Sequence, residues 1–259
     1  MTMAVTLERD NGVGIIKLNN PPANAYDHAV MKELDDVIYA LRFDRAVKVV
    51  VLTSDLPRFF SAGANVQALK TMDAYQRAAF DLHAHEVLAK LERTPKLIIA
   101  AISGHCLGGG LEIALACDIR FMVEADARIG LTEANLGVIP GTGGTQRLPR
   151  LIGLSRALDL MVTGAAISPQ QALELGIVNR LYPADQLMTE TMSYARKLAE
   201  GPAFAVGMIK LAGTQGVELP MDGGLLLERE LLNRVFASAD AEEGMASFLE
   251  KRQPTYRGE

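Results

Sequence analysis

The sequence predicts an α/β fold. Three apolar runs point to it: Val47–Leu52 (VKVVVL), Leu97–Ile102 (LIIAAI) and Ile119–Val123 (IRFMV). Each is nearly continuous, the pattern of a strand buried on both faces. Helical patterns lie between and after them, and strands alternating with helices make an α/β core. The chain has 259 residues, 49% hydrophobic and 22% charged. That composition is globular and excludes disorder throughout. A chain this long buries a large core without needing a disulfide or metal to fold.

The elements follow in order. Val13–Leu18 (VGIIKL) reads as a strand, broken by Asn19–Ala23 (NNPPA). Asp27 is placed to N-cap a helix on which Val30, Leu34, Val37 and Leu41 recur at helical spacing. Asp73–Arg93 reads as a long helix closed by Thr94-Pro95. Ile177–Leu181 (IVNRL) is a fourth buried strand candidate. Helical patterns fill most of the chain after Ser155. Among them, Ser168-Pro169 offers an N-cap with proline at the first helical position. From about Asp185 onward strand signals disappear, which predicts an all-helical C-terminal region.

Several function classes are disfavoured. A net charge of −5 argues against a general nucleic-acid binder. Two cysteines, Cys106 and Cys117, make no disulfide framework and no CxxC, and fit a reducing cytoplasm. No uncharged run reaches the roughly 18 apolar residues of a membrane span. The opening MTMAVTLERD has no export-signal pattern. There is no P-loop and no dinucleotide fingerprint. His85-Glu86 begins an HExxH that fails at Ala89, and Gly153-x-Ser155-x-Ala157 follows no strand. His28, His83 and His85 fall in predicted helices and read as surface or packing residues.

Two small-residue turns at strand exits carry chemistry: Phe59–Ala64 (FFSAGA) and Ile102–Glu112 (ISGHCLGGGLE). Glycine lets backbone approach a ligand closely, and consecutive free N–H groups at such turns bind an oxyanion. Gly108–Gly110 also lead into Leu111–Ala116, a predicted helix whose N-terminus adds positive partial charge. Tight packing alone would equally explain one such turn. Two carboxylates accompany the turns. Glu112 sits in the first turn of that helix. Glu133 sits in the loop Gly130–Gly137 (GLTEANLG), ahead of a third small-residue loop, Pro140–Thr145 (PGTGGT). Spacing alone leaves each open, as a solvated acid on a helix dipole and a loop N-cap respectively, or as a pair for general acid–base work on a carbonyl compound.

These residues together resemble the enoyl-CoA hydratase/isomerase (crotonase) family, over nearly the whole chain. The resemblance is carried by FFSAGAN at Phe59–Asn65, ISGHCLGGGLEIALACDIR at Ile102–Arg120 and LTEANLGVIPGTGGTQRL at Leu131–Leu148. It extends through TGAAISPQQALELGIVNRL at Thr163–Leu181 and FASADAEEGMASFLEKRQP at Phe236–Pro254. It implies a crotonase-like spiral of ββα turns over residues 1–195 and an α-helical oligomerisation region over 196–259, assembled as a homotrimer or dimer of trimers.

The resemblance also implies an oxyanion hole from the N–H groups of Ala64 and Gly109, holding the thioester oxygen of an acyl-CoA. It matches Glu112 to the glutamate that activates water and Glu133 to the one that protonates Cα. Retention of both favours hydration of a 2-enoyl-CoA, giving a (3S)-hydroxy product. The alternatives are Δ3–Δ2 isomerisation or a related reaction on an unusual acyl-CoA. A noncatalytic or RNA-binding relative is disfavoured by the intact pair and the negative charge. Substrate or CoA contacts are implied for Asn24, Ala25, Ala62, Gly63, Ala64, Gly108, Pro140 and Gly141, and from a neighbouring copy for Phe248 and Lys251. No metal or redox cofactor is implied, since CoA arrives with the substrate; nor is nucleic acid or membrane.

Three departures from the family pattern stand out. Thr132 replaces a common proline. Asn65 and Gln67 replace Asp and Lys, leaving Lys70 or Arg58 to meet a CoA phosphate. One extra residue falls within Met122–Arg128.

Overall fold

The apolar runs become the middle of a six-stranded sheet. The computed structural model describes residues 3–259. The chain opens with strands β1 (Val5–Asp10) and β2 (Val13–Leu18), an antiparallel pair, then helix α1 (His28–Phe43). Next come β3 (Val49–Ser54), β4 (Phe59–Ser61), α2 (Val66–Thr71) and α3 (Ala74–Arg93). They are followed by β5 (Leu97–Ile102), β6 (His105–Leu107), α4 (Gly109–Leu115), β7 (Ile119–Val123) and β8 (Ile129–Gly130). A 3-10 turn covers Glu133–Leu136, and then come α5 (Gly144–Ile152), α6 (Leu154–Thr163), α7 (Pro169–Glu174) and β9 (Arg180–Tyr182). The chain closes with α8 (Leu187–Ala199), α9 (Ala203–Gly216), α10 (Met221–Phe236) and α11 (Ala239–Glu250).

The large sheet runs β1-β2-β3-β5-β7-β9 and is parallel from β2 onward. A second, parallel sheet of three short strands runs β4-β6-β8. The chain alternates between them. β3, β5 and β7 each lie in the large sheet and hand over to β4, β6 and β8 in the small one. This is the ββα spiral, with helical residues following each short strand.

Several expected local signals hold. Asp27 accepts the amides of Ala29 and Val30 and starts α1. Asp73 and Gln76 form a capping box at α3, and Ser168 with Gln171 does the same at α7. Two strands are displaced from their expected ranges. Val47–Leu52 begins later, at Val49, because the Val47 amide closes a turn on Asp44 O. Ile177–Leu181 gives way to Arg180–Tyr182, because the amides of Ile177 and Val178 turn back onto Ala172 O behind α7. Of the range expected to hold one extra residue, Met122 and Val123 belong to β7 and the remainder forms the connection to β8. As expected, no strand follows Asp185.

One buried ion pair ties the helical region to the sheet. Lys210 on α9 has its side chain wholly out of solvent, 2.9 Å from Asp118 Oδ2. Its ammonium also donates to Leu91 O and Lys96 O. Asp118 precedes β7 and accepts the Ile98 amide of β5. Burial pushes the Asp118 carboxyl above its ordinary value, against the pull of Lys210.

Candidate active site

The short sheet sets the site. β4, β6 and β8 are parallel, so their C-terminal ends lie at one edge, where parallel sheets present ligand crevices. The residues that leave those ends are Ala64, Gly109 and Glu133. Each lies two or three positions past its strand.

The two turns bring free N–H groups together. Gly63 has φ +88°, a conformation that favours glycine. A Cβ there would come within 2.7 Å of the Gly109 amide nitrogen, so the two turns touch backbone to backbone. Around Ala64 the neighbouring groups are paired: Tyr26 N donates to Gly63 O, and Asn65 N to Tyr26 O. The Ala64 N–H itself has no acceptor among the described residues, and neither does the Gly109 N–H, which heads α4. Gly108 has φ +54° and delivers Gly109 to that position.

Glu112 is one turn further along α4 and only 2% exposed. It is not a solvated acid. Its Oε1 accepts the amides of Thr142 and Gly144, both at 2.7 Å, and the Thr142 hydroxyl donates to Oε2. The carboxylate therefore caps the N-terminus of α5, where the helix dipole favours negative charge. Pro140–Thr145 is the loop that presents these donors, and it runs into α5 at Gly144. Arg147 braces it, donating to Thr142 O while pairing with Glu92.

Glu133 has the opposite environment. Its Oε2 is buried with no hydrogen-bond partner among the described residues. Its Oε1 faces Gly108, where an added Cβ would sit 3.0 Å away. Burial pushes the carboxyl up to about 7; its own amide opposes this, and the charge of Glu112 adds to it. It does not serve as a loop N-cap. Two carboxyl groups in one site with environments this different are the usual basis for dividing acid and base roles.

All four residues line one cavity of about 460 Å³. Ala62, Gly108 and Gly141 share its wall. Thr132 stands beside Glu133, and Lys70 and Arg77 supply positive charge. Arg58, Asn65 and Gln67 are not on the wall. Neither are Asn24, Ala25, Gly63 and Pro140. Asn24 is buried, with its amide donating to Ser54 Oγ and Phe60 O, so it holds the loop behind the site. Asn65 caps α2. Phe248 on α11 is 82% exposed, and Lys251 ends that helix, both away from this cavity. Sequence reasoning missed Tyr26, Phe80 and Thr142 on the wall. Among the described residues no cluster of three metal-ligating side chains occurs, and no helix is long and apolar enough to cross a membrane.

Comparison with known proteins agrees with this architecture. Residues 8–259 match the family model described as enoyl-CoA hydratase/isomerase. A probable enoyl-CoA hydratase of Bacillus subtilis is 38% identical, with 99% of both chains covered. A short-chain-enoyl-CoA hydratase of Clostridium acetobutylicum is 36% identical, covering 96% of this chain and 95% of its own. A crystal structure of an enoyl-CoA hydratase from Geobacillus kaustophilus superposes with a TM-score of 0.98 at 47% identity, covering 100% of this chain and 98% of that one.

Proposed function

Since this chain belongs to the enoyl-CoA hydratase/isomerase family, we propose that its cavity adds water across the 2,3-double bond of a 2-enoyl-CoA. The supporting observation is the meeting of two unlike carboxyls, Glu112 buried and Glu133 half-buried, with two N–H groups unpaired among the described residues, in one cavity. The Ala64 and Gly109 N–H groups receive the thioester oxygen. Water attacks Cβ and gives a proton to Glu112, whose Oε2 keeps a lone pair beside the Thr142 bond. The π electrons move onto the thioester oxygen as an enolate, stabilised by the two donors. Glu133 then delivers its proton to Cα. The product is a 3-hydroxyacyl-CoA. The proton left on Glu112 returns through water to Glu133, and no other reactant is needed. Double-bond migration needs proton transfer but no water, and the presence of both Glu112 and Glu133 in the cavity favours hydration.

The test follows loss of conjugated-enoyl absorbance with crotonyl-CoA, a medium-chain enoyl-CoA and 3-methylglutaconyl-CoA. Loss with at least one ester is expected; none, despite acyl-CoA binding, overturns hydration. The pH profile has a stated sign. Glu133 acts from its protonated form, which is depleted as pH rises through about 7. So kcat/KM, which reports the free enzyme, falls above neutrality. A profile flat from pH 6 to 9 removes Glu133 from the acid role.

We also assign assembly into a homotrimer or a dimer of trimers. The helical region leaves Ile209, Val217, Leu225, Leu226, Phe248 and Leu249 exposed, each at least 50%, and apolar patches of this kind mark interfaces. Light scattering is expected to give three or six times 27.9 kDa; a monomer mass overturns the assignment.

A further inference from the structure

The loop that carries Thr142 has little stiffness of its own. Gly141, Gly143 and Gly144 all belong to Pro140–Thr145, and glycine is the residue with the most backbone freedom to lose. Yet this loop must hold a hydroxyl and two amides on the Glu112 carboxylate. What fixes it comes from outside. Arg147 reaches back from α5, and its Nη1 donates to Thr142 O at 2.8 Å. Thr142 is thus held at both ends, by Arg147 at its carbonyl and by Glu112 at its amide and hydroxyl. The guanidinium also lies on Gly143, where an added Cβ would be 3.0 Å from Cζ.

The other edge of the same guanidinium is committed as well. Nε and Nη2 donate to the two carboxylate oxygens of Glu92 at 2.7 and 2.8 Å, a bidentate fork that fixes direction as well as distance. Glu92 lies in the last turn of α3, and its neighbours there are anchored. Arg42 Nη2 donates to Lys90 O at 2.7 Å, and Lys210 donates to Leu91 O at 2.9 Å. Neither Glu92 nor Arg147 lines the catalytic cavity. Arg147 lines instead a second, open cavity of about 940 Å³. We propose that Glu92 and Arg147 are positioning residues for water activation: through Thr142 they fix the angle at which Glu112 presents Oε2 to water. Every link from Glu92 through Arg147 and Thr142 to Glu112 is a hydrogen bond of the structure. Without the fork, Arg147 gains other rotamers and the Thr142 carbonyl loses its donor. The glycine loop then relaxes, and its donors carry the Glu112 carboxylate with them.

This inference rests on the hydratase reading, and the two fail differently. With the best acyl-CoA of the panel, Arg147→Ala is expected to lower kcat by about 10²-fold, the cost of misplacing a catalytic group by about 1 Å. KM should stay within about twofold. Glu92→Gln keeps the shape and one acceptor, and should lower kcat by about threefold to tenfold. Added to Arg147→Ala it should cost nothing further, because the chain is already broken. Guanidinium ion, well below unfolding concentrations, should reach the gap through the second cavity and restore kcat severalfold in Arg147→Ala. Sodium chloride at the same concentration should not. Arg150→Ala removes an ion pair from the same helix, to Glu218, without touching Thr142, and should keep its kcat. A merely structural pair would lower the melting temperature and leave the kcat of the folded protein alone. Wild-type kcat in Arg147→Ala or Glu92→Gln, a loss confined to KM, losses that multiply in the double variant, or no rescue overturns the positioning role. If Arg147→Ala does not fold, Glu92→Gln decides by its kcat. If the wild-type protein leaves every enoyl-CoA untouched, the hydratase reading fails instead. Crystal structures of wild type and the folded variant then decide the chain. Thr142 drawn off Glu112 supports it, and an unmoved loop overturns it.

Discussion

Replacing Glu133 by Gln is expected to lower kcat by about 10²–10⁴-fold, the range for losing a general acid, while making the protein more stable above neutral pH. Both effects have one cause. The carboxyl is buried at Oε2 without a partner and sits at about 7 instead of 4.5. The folded state holds this proton more tightly than the unfolded state does. Stability is therefore full below about 4.5 and declines as pH rises toward 7. A shift of this size corresponds to at most about 3 kcal/mol, and cavity water screens it to about half. Glutamine carries no charge at any pH and escapes the loss. At pH 8 the variant should melt a few degrees higher, at about 2–4 °C per kcal/mol, and at pH 4.5 the two proteins should melt together. Calorimetry at the two pH values checks this. Equal melting at pH 8 refutes the desolvated carboxyl, and wild-type turnover refutes its role as acid.

Gly109→Ala is expected to be nearly as damaging, for a steric reason. Gly109 heads a helix without a positive φ, so its backbone accepts alanine. The obstacle is Tyr26, whose Cζ and Cε1 would lie 2.7 and 2.8 Å from the new methyl. The tyrosine cannot retreat, because its own backbone bonds both sides of the Ala64 turn. The start of α4 must move instead, carrying the Gly109 N–H away from its companion. Losing one such donor costs about 10²–10³-fold in kcat, and overpacking adds about 1–3 kcal/mol of destabilisation. Gly213→Ala on α9 is the control, since nothing lies within 4 Å of a Cβ there. Wild-type kcat in Gly109→Ala would show that this N–H does not hold the thioester oxygen.

The difference between what was legible and what was not has a physical basis. The buried strands of the large sheet announce themselves as β-branched runs, and α1, α3 and α7 by caps that act locally. β4, β6 and β8 have three, three and two residues, too few for any period to show. Their pairing is made by tertiary contact, and the site is built on it. The glycines of the turns could be read as ligand-binding because their conformation is a local demand. Glu112 could not be decided by spacing, since its partners Thr142 and Gly144 come thirty residues later. Tyr26 and Thr142 left no signal at all. A tyrosine at the end of a loop and a threonine among glycines become important only when the fold puts them beside Glu112. Ile177–Leu181 misled because its apolar residues pack as a turn behind α7, where burial does not require a strand.

The pairing of Asp118 with Lys210 also has a meaning in time. Translation delivers the aspartate with the sheet strands, and the lysine some ninety residues afterward. At about 5–20 residues per second, the growing chain spends roughly 5–18 s holding an acid destined for the interior without its counter-charge. Until α9 arrives, that acid must keep either its water or its proton. The sheet therefore seals at this point before the helical region is made only around a protonated acid, and the charged pair forms only once α9 is in place.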